Sequence, residues 1–380
     1  MTSKLKIGLV FDDSLDKPDG VQQYVLTLGE WLRGEGHDVH YLVGETKRQD
    51  IKQLHSLSRN MQVRFNQNRM AMPLPARLKP IRALLQKEQF DVLHVQVPFS
   101  PLLAGRIIAS AGPDTAVTGM FHVAPHSGLV FAANRALGLA VRRSLKRFDA
   151  MLANTPPTAA FAKRTYGLDC QVLPLPLKLD AFVGARPLAT LKSRKNVLFL
   201  GRLVERKGCR YLLQAVAYAQ SHNQWPKDAQ VLVCGGGPLE AELRAYAAAH
   251  HLQDIVQFTG YLTEEEKPNY LAAADVAVYP STGGESFGVV LLEAMAASRG
   301  MVLGGNNPGY ASVLAAHPEA LFDPKDIPAF AEKLTTALAS DPARFAAHDW
   351  QQRYVAQFST DKVGAQTVAV FRQALQSRRG

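Results

Sequence analysis

Two glutamates stand eight residues apart in a glycine-flanked, apolar stretch that reads STGGESFGVVLLEAMAASRG and spans residues 281–300. Glu285 lies in a glycine turn, and Glu293 lies on a predicted helix that begins at about Ser286 and ends at Ala297. Carboxylates rarely occupy such apolar surroundings unless they are paired or bind something. Eight helical residues advance about 12 Å, which is comparable to the distance from the sugar to the ribose of a nucleotide sugar.

This spacing predicts that the two carboxylates hold opposite ends of one nucleotide sugar. The helix N-terminus would then face the diphosphate, because its unpaired N–H groups and its dipole attract anions. The alternative for Glu293 is a buried ion pair.

Two cations stand near a predicted strand end in FLGRLVERKGCRYLL, residues 199–213. Arg202 follows the strand, and Lys207 precedes a helix. Such a pair suits a pyrophosphate, since arginine forks onto phosphate oxygens and lysine supplies a point charge. The alternative is a solvated basic loop, and Arg206 is interpreted as a charge of that kind.

Glycines precede predicted helices at two βα turns. Gly20 ends the turn FDDSLDKPDG, and Gly236 and Gly237 belong to the triple glycine of LVCGGGPLEAEL. A glycine at such a turn lets backbone N–H groups approach a phosphate, a ribose or a base. There is no GxGxxG, so the dinucleotide fingerprint is absent, and ordinary tight turns are the alternative.

One histidine, His122, ends the predicted strand AVTGMFH, at the edge where parallel sheets bind ligands. Its imidazole could hydrogen-bond a sugar hydroxyl or move a proton, and the alternative is a satisfied, partly buried side chain. His126 lies four residues further on, but no third ligand accompanies the pair. The sequence therefore predicts no metal site.

The elements that must position these residues alternate along the whole chain. Short apolar strands, such as IGLVF and NVLFLG, are separated by amphipathic stretches such as VQQYVLTLGEWLRGEG. Continuous apolar strands between helices indicate parallel sheets covered on both faces. At 380 residues, the chain exceeds the usual size of one domain. We therefore predict an α/β fold of two tandem Rossmann-like, doubly wound domains with a ligand cleft between them.

Domain boundaries follow from composition and pattern. Residues 1–176 are predicted to form the first domain and 196–350 the second, joined by a linker over 177–195 that is rich in proline and lysine. An amphipathic helix is predicted over 361–377.

Composition narrows the class of protein further. With 47% hydrophobic and 20% charged residues, the chain is globular rather than disordered or fibrous. The three cysteines, Cys170, Cys209 and Cys234, are too far apart in sequence to suggest a disulfide framework or a zinc site. The apolar run near the N-terminus is too short for a signal segment or a membrane span, so a cytoplasmic location is expected.

In their order along the chain, GRLVERKG, GGGP and GGESFGVVLLEAMAA resemble the family 4 retaining glycosyltransferases of GT-B fold. The GGESFG form and the strand-terminal FH are most similar to the bacterial phosphatidylinositol mannosyltransferase branch. The resemblance covers essentially the whole chain. It implies transfer of a hexose from a nucleotide sugar, with GDP-mannose as the first choice of donor, to a lipid such as phosphatidylinositol. A UDP-sugar donor with a soluble or other glycolipid acceptor is the alternative, and no tightly bound cofactor is implied, with the Mg²⁺ requirement open.

The resemblance also implies roles for single residues. Arg202 and Lys207 neutralise the donor diphosphate, while Glu285 holds the transferred sugar and Glu293 holds the ribose. The residues assigned to catalysis are His122, Arg202, Lys207 and Glu285. The residues assigned to donor binding are Gly20, Gly236, Gly237, Gly284, Ser286, Phe287, Gly288 and Glu293.

Two of these residues come from the first domain. By the same resemblance, Gly20 approaches the diphosphate or the sugar, and His122 contacts the sugar near its anomeric carbon. The final helix, residues 361–377, crosses back to the first domain. No protein nucleophile is assigned.

Positive charge is concentrated in the first half of the chain. Residues 1–175 carry 22 Lys and Arg against 14 Asp and Glu, whereas residues 176–380 carry 21 against 19. Basic residues interleaved with apolar ones suit the inner face of an anionic membrane, and the alternative is the solvated face of a basic protein. Nucleic acid is disfavoured, because aromatic residues do not accompany the charges. The residues predicted to contact a membrane or a lipid acceptor are Arg64, Arg69, Arg77, Lys79, Arg82, Arg142, Arg143 and Lys146.

Other classes of protein share this architecture. A nucleotide-sugar epimerase would act on the donor without an acceptor. A phosphorylase would need a pyridoxal lysine and a far longer chain. A non-catalytic binding module is disfavoured by the presence of Arg202, Lys207, Glu285 and Glu293 together.

Overall fold

The computed structural model describes residues 3–16, 20–65, 68–122, 134–135, 137–138, 141–285 and 287–380, with the backbone alone over the strands between 61 and 73. The chain divides into two compact units. Unit 1 comprises Met1–Leu177 and Phe358–Gly380, and unit 2 comprises Lys178–Gln357.

Unit 1 is built on a parallel sheet with the strand order β3-β2-β1-β6-β7-β8-β9. The strands are β1 (Lys6–Phe11), β2 (Asp38–Val43), β3 (Leu54–Ser56), β6 (Val92–Gln96), β7 (Ala116–Phe121), β8 (Ala150–Ala153) and β9 (Gln171–Val172). β6 and β7 are buried along their whole length, as expected for a parallel sheet covered on both faces. A separate antiparallel hairpin pairs β4 (Asn60–Phe65) with β5 (Asn68–Pro73).

One helix of unit 1, α5 (Pro156–Tyr166), begins and ends at local sequence signals. At α5, the Thr155 side chain accepts a hydrogen bond from the Thr158 N–H, and Gly167 ends the helix in the left-handed conformation. The helices are α1 (Gly20–Gly34), α2 (Leu78–Glu88), α3 (Leu103–Ser110), α4 (Arg142–Leu145), α5 (Pro156–Tyr166) and, after unit 2 in the chain, α14 (Thr360–Arg379).

The final helix, α14, packs against α1 and β7 of unit 1. Its buried apolar positions, which include Val363, Val370 and Phe371, recur at helical spacing and form one stripe. Gly364 lies directly against the ring of Trp31, whose indole N–H donates to Asp361 at 2.7 Å. The last helix therefore belongs to the core of unit 1.

Unit 2 is built on a parallel sheet with the order β12-β11-β10-β13-β14-β15, which is the strand order of the Rossmann fold. The strands are β10 (Lys195–Leu200), β11 (Ala229–Cys234), β12 (Val256–Gly260), β13 (Val276–Tyr279), β14 (Met301–Gly305) and β15 (Leu321–Phe322). The helices are α6 (Asp180–Val183), α7 (Cys209–Ser221), α8 (Glu240–Ala249), α9 (Lys267–Ala272), α10 (Val289–Ala297), α11 (Pro308–Val313), α12 (Ile327–Ala339) and α13 (Asp341–Val355).

The predicted fold class, two tandem doubly wound α/β domains, is confirmed. Two parts of the chain differ from the sequence-based interpretation. The hairpin β4–β5 was not predicted. In the segment 177–195, predicted as a linker, α6 packs against α9 and α10 of unit 2. Leu179, Phe182 and Leu191 are buried there, and these three apolar residues are too few to show a period in the sequence.

Candidate functional site

The sheet of unit 2 reverses its winding direction between β10 and β13. From these two neighbouring strands the chain proceeds outward in opposite directions, and open α/β sheets bind ligands at the carboxyl edge of such a point. The loops after β10 and β13 are tied together there. The Thr282 N–H donates to the Arg206 carbonyl at 2.9 Å, and the Ser281 hydroxyl oxygen lies 3.0 Å from the same carbonyl oxygen.

Glu285 lies at the centre of this edge and is contacted by donors from both loops. Its Oε1 lies 2.8 Å from the Lys207 Nζ and 2.8 Å from the Arg206 Nη1. The Ser281 hydroxyl donates to the same oxygen at 2.9 Å. The Glu285 side chain is only 11% exposed, so water screens these charges weakly. We call Glu285, Arg206, Lys207 and Ser281 the Glu285 cluster.

The loop after β10 supplies the cations of this cluster. Lys207 ends a short 3-10 turn, Glu205–Lys207, and Gly208 then takes the left-handed conformation before α7 begins. The interpretation of Arg206 as a solvated surface charge was wrong, because its guanidinium pairs with Glu285. Arg202 lies exposed in the same loop, two residues after β10 ends.

Several of the predicted donor-binding glycines are required by the protein's own packing. A Cβ on Gly237 would lie 2.4 Å from the Leu203 carbonyl oxygen, and the Leu203 N–H donates to the Gly236 carbonyl at 3.0 Å. By contrast, a Cβ on Gly236 would meet nothing closer than 3.9 Å. Of these two glycines, Gly237 is therefore the one whose lack of a side chain the turn itself requires.

The turn before α10 differs from the predicted one. The helix begins at Val289 rather than at about Ser286, because Gly288 takes the left-handed conformation and lies against the Tyr310 ring. Glu285 therefore precedes the helix, and the argument that eight helical residues separate the two glutamates was wrong. Phe287 is buried.

The remaining predicted residues of this turn are placed as follows. Gly284 is in the left-handed conformation, and a Cβ there would lie 3.3 Å from the Arg206 Cδ. This close approach is part of what lets the Arg206 side chain reach Glu285. Ser286 lies outside the described residues.

Glu293 lies on α10 and is half-buried. Burial raises the pKa of its carboxyl to about 7, the charge of Lys267 opposes that rise, and the charge of Glu264 adds to it. Within the described part of the chain, no hydrogen bond or ion pair joins the Glu293 carboxylate, so the alternative of a buried ion pair is not observed there. The hydroxyl of Tyr279, which interacts electrostatically with Glu293, is buried and also lacks a hydrogen-bond partner among the described residues. The site thus holds a carboxylate and a hydroxyl with unused hydrogen-bonding capacity.

In unit 1, His122 directly follows β7 and is nearly buried. Its Nε2 lies 2.6 Å from the Gln96 Oε1 at the end of β6, and the ring of Tyr24 on α1 packs edge-on against it at 4.9 Å. Burial lowers the pKa of His122 to about 3. Gly20 is the exposed first residue of α1 rather than the residue before it, and a Cβ there would meet nothing within 4 Å. Neither Gln96 nor Tyr24 was predicted as a site residue, because neither belongs to a spaced motif.

A third carboxylate, Asp12, directly follows β1 at the carboxyl edge of the unit 1 sheet. It accepts the Ala104 N–H at 2.7 Å and the Ser100 hydroxyl, and so caps the start of α3. Burial raises the pKa of Asp12 to about 6. These contacts explain Asp12 as a structural carboxylate.

The basic residues predicted to contact a membrane fall in three places. Arg64 and Arg69 lie opposite each other across the hairpin β4–β5. The other residues predicted for this surface are exposed, and they lie beside or on α2 and α4: Arg77, Lys79, Arg82, Arg142, Arg143 and Lys146. Leu74 and Leu78 are exposed beside the α2 group, at 43% and 39%.

Two negative findings concern the described part of the chain. None of its helices is both long and apolar enough to cross a bilayer. Its His, Cys, Asp and Glu side chains form no group of three or more placed to hold a metal ion.

A cavity of 460 Å³ opens at the amino ends of β10 and β13, the sheet edge opposite the Glu285 cluster, and its lining includes Asn196, Asp228 and Asp275.

Family models match both halves of the chain. Residues 18–180 match the model described as Glycosyltransferase Family 4, and residues 186–352 match the model described as Glycosyl transferases group 1. A phosphatidyl-myo-inositol mannosyltransferase of Propionibacterium freudenreichii is 32% identical over 306 residues, covering 77% of this chain and 75% of the relative. One from Mycobacterium leprae is 30% identical over 365 residues, covering 93% of this chain and 90% of the relative.

Solved structures resemble the chain along its whole length. A glycosyltransferase of Rickettsia africae has a TM-score of 0.74 at 16% identity and covers 97% of this chain and 99% of its own. The Anabaena protein HepE, solved in complex with UDP, has a TM-score of 0.74 at 16% identity and covers 96% and 99%. These likenesses establish the fold as GT-B.

Proposed function

Because this chain belongs to the family 4 glycosyltransferases, we propose that it transfers a hexose from a nucleotide sugar to an acceptor with retention of anomeric configuration. The observation that carries the proposal is the Glu285 cluster, a carboxylate held by two cations at the carboxyl ends of β10 and β13. A nucleotide sugar matches both kinds of charge. Its diphosphate is an anion that cations bind, and its sugar hydroxyls donate to a carboxylate.

The cations supply the main catalytic effect in this proposal. Departure of the diphosphate concentrates negative charge on the leaving oxygen, and a cation already in place there stabilises the transition state. Lys207 and Arg202 have this role in our proposal. Glu285 accepts hydroxyls of the transferred sugar, and the acceptor attacks from the face that the diphosphate leaves. We assign no protein nucleophile.

Glu293 binds the ribose in this proposal. A carboxylate accepts two hydroxyl hydrogen bonds at once, and the Glu293 carboxylate has no hydrogen bond within the described residues. Adjacent ribose hydroxyls would donate hydrogen bonds to the Glu293 carboxylate and would favour its ionised form. In unit 1, we assign His122 to a hydrogen bond with the transferred sugar.

Mutation of the Glu285 cluster tests the catalytic assignment. Glu285→Ala or Lys207→Ala should abolish sugar transfer, because each removes a group that contacts the donor. The controls are Glu319→Ala and Lys163→Ala, since both side chains are also ion-paired, with His317 and Asp169. The controls should retain activity, and circular dichroism should show every variant folded. Near-normal turnover in Glu285→Ala or Lys207→Ala would contradict the site assignment.

For the donor, we propose GDP-mannose, because the two relatives described above, which cover 77% and 93% of this chain, are mannosyltransferases by name. A thermal-shift panel of GDP-, UDP- and ADP-sugars tests this choice. A ligand at 100 times its Kd stabilises the native state by about 2.7 kcal/mol, so the correct donor raises Tm most. Incubation of the same donors without an acceptor distinguishes the other classes. An epimerase would convert the donor sugar, and a binding module would leave it unchanged.

For the acceptor, we propose a lipid such as phosphatidylinositol at a membrane surface. Both relatives carry phosphatidyl-myo-inositol in their names. The exposed residues beside and on α2 support the proposal, since Leu74 and Leu78 lie among the exposed cations Arg77, Lys79 and Arg82. Apolar side chains that enter the interface and cations that meet anionic headgroups act together in peripheral binding.

Liposome co-sedimentation tests the membrane proposal. Each cation near anionic lipid contributes about 1 kcal/mol, so removing three should weaken binding about 100-fold at low salt. The triple variant changes Arg77, Lys79 and Arg82 to Ala. The matched control changes three exposed cations of unit 2 to Ala, namely Lys227, Lys325 and Arg353. Equal binding to neutral and anionic vesicles by the unaltered protein would contradict the proposal.

A further inference from the structure

A chain of buried polar side chains lies beneath the carboxyl edge of the unit 1 sheet. His94 and Gln96, both on β6, are fully buried, and His122 is 5% exposed. The His94 imidazole bonds the Tyr24 hydroxyl at 2.8 Å through Nε2 and the Thr118 hydroxyl at 2.9 Å through Nδ1. Buried polar groups of this kind rigidify their surroundings when they are paired.

The contact between His122 and Gln96 has a defined direction. The Gln96 Nε2 lies 3.5 Å from the His94 carbonyl oxygen, toward which only an amide N–H can point favourably. The Gln96 Oε1 therefore faces His122, at 2.6 Å from its Nε2. An amide oxygen only accepts, so the proton of this hydrogen bond belongs to the His122 Nε2.

A neutral imidazole carries one N–H. Burial lowers the pKa of His122 to about 3, so the ring is neutral at physiological pH. With its proton on Nε2, the ring presents a lone pair at Nδ1. A ring in this state accepts a hydrogen bond at Nδ1 and cannot donate one there.

We propose that Gln96 is a positioning residue that fixes His122 as the Nε2–H tautomer, so that Nδ1 accepts a hydrogen bond from a hydroxyl of the bound sugar. The part concerning the sugar rests on the proposed function, whereas the tautomer follows from contacts within unit 1. The Tyr24 ring packs edge-on against the His122 ring at 4.9 Å, and this contact limits rotation of the His122 ring. Gln96 thereby acts through His122 and need not touch the substrate.

The proposal has a spectroscopic test that needs no substrate. In histidine-labelled protein, long-range ¹H–¹⁵N correlation distinguishes protonated from unprotonated ring nitrogens, and His122→Gln identifies the His122 signals by their loss. We expect a protonated Nε2 and an unprotonated Nδ1 in the unaltered protein. Gln96→Met keeps the side-chain length but removes the acceptor, and it should yield a mixture of tautomers. Gln96→Glu restores an acceptor oxygen and should restore the Nε2–H form.

Activity gives the second readout. Loss of one hydrogen bond to the ring corresponds to about a tenfold fall in kcat/KM for Gln96→Met. The control is Gln351→Met, since Gln351 is a fully buried glutamine of unit 2 that bonds the backbone of Val302 and Gly300. It should lower stability without changing the His122 tautomer.

The outcomes separate this proposal from the proposed function. A His122 proton on Nδ1, or a single Nε2–H tautomer together with unchanged kcat/KM in Gln96→Met, would overturn the role of Gln96. Absence of transfer by the unaltered protein with every nucleotide sugar would overturn the proposed function. In that case the tautomer measured by NMR would still decide whether Gln96 orients the ring.

Discussion

The raised pKa of Glu293 predicts a specific pH dependence of stability. The carboxyl titrates at about 7 in the folded protein and near 4.5 in an unstructured chain. Between pH 4.5 and pH 7, the folded state therefore holds a proton that the unfolded state has already released. Stability from this group is fully present below pH 4.5, falls as the pH rises, and is lost above pH 7. A shift of about 2.5 pKa units corresponds to about 3 kcal/mol, as an upper value, since water screens the exposed part of the side chain.

The Glu293→Gln variant isolates this contribution, because an amide of the same shape does not ionise. Relative to the unaltered protein, the variant should gain stability steadily between pH 4.5 and 7, up to about 3 kcal/mol at pH 8. For a domain the size of unit 2, this corresponds to a relative rise in Tm of about 6 to 12 °C. Differential scanning calorimetry at a series of pH values measures the difference.

The control for this prediction is Glu265→Gln, which changes an exposed carboxylate in the loop before α9. Its stability difference from the unaltered protein should stay nearly constant over the same pH range. A constant difference for Glu293→Gln as well would show that the Glu293 carboxyl is not destabilised by burial. A difference that moved in the opposite direction would show that the protein stabilises the ionised form without any ligand.

Two further predictions concern glycines. Gly208→Ala should destabilise unit 2 by more than about 2 kcal/mol, because Gly208 is left-handed and a Cβ there would lie 1.9 Å from a backbone oxygen. The control is Gly260→Ala. Gly260 is also left-handed, but a Cβ there would meet nothing within 4 Å, so this variant should lose only about 1 kcal/mol of stability. Gly364→Ala should loosen α14, because its Cβ would lie 2.3 Å from the Trp31 ring, whereas Gly34→Ala meets nothing within 4 Å and should be nearly neutral. Urea unfolding measures all four variants, and equal midpoints within either pair would refute the steric argument.

The fold was predictable because its strands are short, apolar and separated by amphipathic helices. Residues such as those of β6 and β7 are buried on both sides of a sheet, and this leaves a continuous apolar run in the sequence. The hairpin β4–β5 lacks that signal. Its strands, NMQVRF and NRMAMP, mix arginines and methionines with polar residues, and the segment was interpreted as a membrane-facing surface rather than as paired strands.

The candidate site was predictable where a residue type follows a strand or starts a helix, as with Lys207 and Glu285. Contacts between side chains that are distant in the sequence were not predictable. Arg206 reaches Glu285 because a 3-10 turn and the left-handed Gly284 bring two loops together. Gln96 meets His122 because β6 and β7 are neighbours in the sheet, and a sequence pattern carries no record of side-chain pairs between strands.

The return of α14 to unit 1 affects the order in which the two units fold during synthesis. Unit 2 is encoded between the two parts of unit 1, so on the ribosome all of unit 2 emerges before the helix that completes unit 1. Until α14 docks, the apolar positions that cover Val363 and Phe371 stay open to solvent. The first unit to begin synthesis is therefore the last to finish folding, and the nascent first 177 residues are the segment most exposed to chaperones and proteases.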